Sequence, residues 1–168
     1  MSQALAIEQK SAARRAAAGY ANVEVAKYIV QQHGGDITHL HLQKTLYIAY
    51  MLYLGEYGTP LVRGDSYQAW RLGPVLPGLY HLLSHLYQQP VGGALDAYQD
   101  MKKGRATETL DLVGYLLKNL TTGQLVSVTH AEWGAWHKNY DESARATPIP
   151  DADILDEYQE FTKRYGGE

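Results

Sequence analysis

Apolar residues recur at helical spacing along most of the chain. Val23, Ala26, Ile29 and Val30 share one face of a run that Asn22 is placed to cap. Gly34 and Gly35 close it, because glycine accepts the left-handed conformation of a helix end. Thr38 can cap a second run, in which Leu42, Leu46, Ala49, Tyr50 and Tyr53 form one buried stripe and Gly55 and Gly58 mark the stop. Pro77 suits the first turn of a helix carrying Leu79, Leu82, Leu83 and Leu86, since its missing N–H costs nothing there. Thr107 can cap a run that buries Leu110, Val113, Leu117 and Leu120. Short helices are expected over Gln124–His130 and Trp133–Tyr140. Asp151 caps a last one, with Ile154, Tyr158, Phe161 and Tyr165 on a single face.

The period changes in "PLVRGDSYQAWRL". Two extended runs flank "RGD", and Tyr67, Ala69 and Arg71 alternate with Gln68, Trp70 and Leu72, which predicts a small hairpin. The tripeptide is read as turn chemistry. "QQPVGGALDAYQDMKKGR" is a loop and "ATPIP" a breaker. The Ala-rich stretch Ala4–Ala18 is helical by propensity but has few large apolar side chains, so residues 1–21 read as an appendage and 22–168 as one domain. The expected fold class is mainly α: a compact domain of six to seven helices with one small β-hairpin.

Composition narrows the function. At 168 residues, 45% of them hydrophobic, the chain is long enough for one real core. A net charge of −3 argues against a dedicated nucleic-acid binder. The absence of cysteine removes disulfides, thiolate metal sites and thiol nucleophiles. The N-terminal stretch has no continuous apolar core, and "TLYIAYMLYL" is too short to cross a bilayer, so a cytoplasmic protein without a membrane partner is expected. Fourteen tyrosines stand against one phenylalanine. Most are expected at the edges of the core with their hydroxyls in water, leaving a few for contact.

Catalytic motifs are missing: no G-x-S-x-G elbow, no G-x-G-x-x-G and no phosphate-binding loop. No cofactor and no enzymatic activity are expected. His81 and His85 lie four apart, with His130 or Asp100 as a third ligand for a metal-dependent hydrolase, but "HLLSH" lacks the glutamate such a site uses as base. His39 and His41 fall on opposite sides of a helix start and are expected in solvent. The helix pair from Val23 to Leu54 has the outline of a helix-turn-helix regulator. Its second helix offers Gln43 and Lys44 and then turns too apolar for a DNA groove. Trp133 and Trp136 share a helix face, one expected in the core and one at an edge.

Three segments in order, "LQKTLYIAY", "AWRLGPVLPGLY" and "LVSVTHAEWGAW", resemble the Panacea domain of the SocA-like, phage-associated antitoxins. Leu42, Gln43, Lys44, Leu46 and Tyr47 match its first element, although Thr45 replaces the usual leucine. Ala69, Trp70, Gly73, Pro74, Val75, Leu79 and Tyr80 match its corner. Leu125, Thr129, His130 and Trp136 match the third, with Ala135 where the family usually has proline. The resemblance covers about Asn22 to Phe161. It implies an antitoxin that neutralises a toxin encoded next door by direct protein–protein binding. Delivery of that toxin to an AAA+ protease, and a homodimer, stand open beside it. The toxin-binding candidates are Gln43, Lys44, Tyr47, Trp70, Arg71, Tyr80 and Trp136. Gly73, Pro74, Pro77 and Leu79 read as the structural corner.

Overall fold

The structure is a computed structural model that describes residues 3–7 and 19–167. Residues 3–7 are helical, and the remainder of the expected Ala4–Ala18 helix lies outside the described residues. Helix α1 spans Asn22–Gln32 and α2 spans His39–Tyr57. Helix α3, Pro77–Leu83, continues as a 3₁₀ turn at Ser84–Leu86. Helices α4 (Arg105–Leu117), α5 (Thr122–Thr129), α6 (Ala135–Asn139) and α7 (Asp151–Tyr165) complete the helical part. Among the described residues five short strands form two small sheets: β1 (Tyr20–Ala21) with β2 (Val62–Arg63), and β3 (Gln68–Trp70) between β4 (Gly73–Val75) and β5 (Thr147–Pro148). The fold is mainly α, as the pattern predicts. Among the described residues no helix is long and apolar enough to cross a membrane.

Helix α2 is the axis of the molecule. Every residue from Leu42 to Met51 is buried, so the single stripe expected from its periodicity is a helix enclosed on all sides. It packs against α1, α3, α4, α5, α7 and β4. That enclosure leaves its central turns no face with which to enter a DNA groove. Thr38 caps it as predicted, its Oγ1 accepting the His41 N–H at 3.3 Å. The helix ends at Gly58, whose φ of +68° is the left-handed cap that glycine supplies. Gly55 lies inside the helix and is small for a different reason. A Cβ there would sit 2.1 Å from the Tyr158 ring of α7.

Three helix starts differ from expectation, two because a tertiary partner claims the side chain and one because the helix begins two residues before its expected cap. Asn22 is the first residue of α1, and its amide donates to Asp65 Oδ2 at 2.9 Å. Asp151 is the first residue of α7, behind Pro150, and accepts the Tyr50 hydroxyl at 2.8 Å. Helix α4 begins at Arg105, so Thr107 stands in its first turn, and its hydroxyl accepts the Gly104 N–H at 2.9 Å. The hairpin is also displaced. "RGD" does not join its strands. β2 pairs in parallel with β1, and the antiparallel hairpin runs β3–β4 around Arg71 and Leu72. The breaker at "ATPIP" supplies β5.

Eleven of the fourteen tyrosines are half-buried or exposed, as expected of most of them. The other three, Tyr47, Tyr50 and Tyr67, are in the core, with Tyr67 edge-on to both of the others at 5.0 Å. The Tyr47 hydroxyl donates to Glu157, whose carboxylate also accepts the Ala135 N–H at 3.0 Å. Burial pushes the Glu157 carboxyl up, and burial together with the Glu157 charge pushes the Tyr47 hydroxyl far above its ordinary range.

Candidate functional site

The corner from Ala69 to Tyr80 is built by backbone pairing on one side and side chains on the other. β3 and β4 pair with Ala69 opposite Pro74 and Trp70 opposite Gly73. Pro77 opens α3, as predicted. Leu79 is fully buried, and its N–H, with the Asn22 amide, converges on Asp65 Oδ2. The carboxylate of "RGD" thus ties the starts of α1 and α3 together.

Helix α2 secures the outer edge of β4. The Gln43 amide donates to the Leu76 C=O at 3.2 Å and accepts the Leu76 N–H at 3.1 Å, as a neighbouring strand would. The fully buried Lys44 donates to the Pro74 C=O at 3.1 Å. Burial lowers the Lys44 ammonium to about 7. Gly73, with φ +112°, lies against it, and a Cβ there would meet Lys44 Nζ at 2.8 Å and His130 Nε2 at 3.2 Å. The His130 ring stacks on Trp136 with centroids 3.7 Å apart, and Trp136 Nε1 donates to the Trp70 C=O at 2.7 Å. The three segments of the sequence signature therefore meet at one place.

The structure divides the site residues. Lys44, Tyr47 and Trp136 are buried behind the corner, and Gln43, also buried, forms the floor of a cleft. Trp70, Arg71 and Tyr80 line that cleft of about 1050 Å³. Trp70 meets Tyr80 edge-to-face at 4.7 Å, and its Nε1 donates to Gln68 Oε1 at 2.9 Å. Sequence reasoning missed three further members. His39 is not free in solvent but packs edge-on to Tyr80 at 5.7 Å, and its Nδ1 is buried without a partner. His85 and Tyr87 lie at the far rim. The alternation signal could not reach them, since they follow α3 in a turn.

The metal constellation does not assemble. His81 packs against Trp70 and Tyr80, His130 lies beneath the corner, and Asp100 pairs with Lys27 at 2.8 Å. Among the described residues no three His, Asp or Glu side chains are grouped to hold a metal ion. One tryptophan, Trp136, is in the core and the other, Trp133, at an edge, as expected, but α6 begins at Ala135, so the two do not share a helix face, and the Arg164 guanidinium lies 5.3 Å over the Trp133 ring.

A mainly helical domain whose buried helix clasps a Trp- and Pro-containing corner defines the class. Residues 42–137 match the family model for the antitoxin SocA-like Panacea domain. This chain belongs to that family. It is also 30% identical over 115 residues to the antitoxin SocA of Caulobacter vibrioides (strain NA1000 / CB15N), an alignment that takes in 60% of this chain and 58% of that relative. No solved structure matches.

Proposed function

We propose that the protein is a cytoplasmic antitoxin that neutralises the product of an adjacent reading frame by binding it directly, as a binder and not a catalyst. Membership of the SocA-like family supports an antitoxin role. The observation that carries direct binding is that the family's signature corner opens into a cleft bearing Trp70, Arg71 and Tyr80. Trp and Arg are the side chains that most often dominate protein–protein affinity. Gln43, Lys44 and Trp136 serve the same contact from behind by fixing the corner, and Tyr47 is buried deeper, against Tyr67 and Glu157.

Co-expression tests this. The neighbouring product is expected to arrest growth alone and to be harmless beside this chain, with the two proteins co-purifying. Toxicity that persists on co-expression overturns the reading. Trp70→Ala is expected to abolish protection. A melting curve beside a pull-down separates loss of contact from loss of fold, and both unchanged would remove Trp70 from the interface.

A further inference from the structure

The cleft beside the corner has a one-sided chemistry. Its polar lining includes Arg71, Tyr80, Tyr87, His39 and His85 beside neutral Gln and Ser side chains, and among the described residues no carboxylate lines it. Acidic residues nonetheless outnumber basic ones in the whole chain, 18 to 15. The Arg71 side chain is exposed and has no ion pair or hydrogen bond among the described residues. The Gln, Ser and Tyr side chains of the lining can donate or accept, whereas the guanidinium only donates and carries a full charge, so an anionic group is the partner that Arg71 calls for.

The rim adds an independent sign. Tyr87 has φ +52° and ψ −114°, and among the described residues it is the one non-glycine with positive φ. The Gln89 N–H donates to the Leu86 C=O at 2.9 Å, which makes 86–89 a tight turn of the type II′ kind with Tyr87 where glycine is usual. The ring is 79% exposed. The fold gains little from an exposed ring on a strained backbone, and such strain collects where a side chain is held ready for a ligand.

We infer that the cleft receives an extended acidic segment of the partner toxin, with a carboxylate on Arg71 and an apolar or aromatic side chain between Trp70 and Tyr87. This rests on the antitoxin reading. The cleft exceeds most small-molecule sites in volume. Single-stranded nucleic acid fits it poorly. Among the described residues Arg71 is the one Lys or Arg that lines it, which gives little hold on a phosphate backbone, and Trp70 and Tyr80 cross at 63° instead of offering parallel faces.

The test uses the full chain and two probes of one apolar frame, acetyl-Glu-Leu-Glu-Phe-Glu-Leu-Glu-amide and its lysine counterpart. The Trp70 indole N–H resonance reports binding. The acidic probe is expected to shift it saturably, and Arg71→Glu to weaken that binding by about tenfold or more. Tyr87→Gly weakens it as well without lowering the melting temperature. No shift with the acidic probe, or tighter binding of the lysine probe or of a ten-residue oligothymidylate, overturns the proposal. In cells, folded Arg71→Glu is expected to lose protection, and selection for regained protection to return Asp or Glu to Lys changes clustered in one toxin segment. Full protection by Arg71→Glu overturns the acidic occupant and leaves the antitoxin reading standing. Failure of the unaltered chain to protect overturns that reading instead.

Discussion

Lys44 shows how one residue carries both a structural role and a measurable signature. Its ammonium is fully buried and faces a single carbonyl. Between about 7 in the fold and an ordinary value of 10.5, the unfolded chain holds a proton that the folded chain does not. Stability therefore rises with pH across that window. The core tyrosines and their raised hydroxyls act in the opposite sense, but only as pH passes above 10. The melting temperature is expected to climb from about pH 7.5 to about pH 9.5, and Lys44→Met to flatten the climb. Tyr87→Gly tests a residue in the reverse way. It removes strain of about 1–3 kcal/mol and adds unfolded-state freedom of about 0.4–1 kcal/mol, so stability is expected to hold or rise. At this scale the sequence was legible where a residue's role is local, as with Thr38, Pro77 and Gly58. It was opaque for Asn22, Asp151 and Lys44, whose partners lie 43, 101 and 30 positions away.

Among the elements, α2 departs most from its pattern. Its periodicity implies one buried face, yet Gln43, Lys44 and Thr45 are as buried as the leucines beside them. Gln43 and Lys44 go inside because backbone groups of β4 and the following residue receive them, whereas the Thr45 hydroxyl is buried without a partner. No hydrophobic count could reveal that. Gly55 gives the prediction at this level. Alanine is the better helix former, by about 1 kcal/mol, but its Cβ would run into Tyr158. Gly55→Ala is expected to destabilise by about 1–3 kcal/mol, as overpacking does, and chemical denaturation would read it. A gain in stability would mean that α2 and α7 are not packed at this contact. The hairpin was legible as an element but not in its register, since alternation alone does not say which two runs pair.

At the scale of the whole molecule, the elements hang on one enclosed helix. Leu46 is fully buried in it. Leu46→Ala is expected to cost about 2–5 kcal/mol. Tryptophan fluorescence and far-ultraviolet dichroism should then still report one shared transition, because the hydrophobic core among the described residues is a single cluster that includes the buried residues of α2. Two separate transitions would contradict that. The site followed the same division. The three signature segments could be read in order along the chain, but their convergence beneath Gly73 could be read only in space. The hold of Gln43 and Lys44 on β4 also bears on how a partner arrives. Pro74 has no N–H to offer, its carbonyl goes to Lys44, and Gln43 occupies both backbone groups of Leu76. A visiting chain finds no open ladder there, so β-augmentation, in which main-chain hydrogen bonds rather than side chains supply the affinity, is closed at this edge. Recognition of a peptide beside the corner must then be made by side chains, which under the proposed antitoxin function is a route to one toxin being held and its relatives refused.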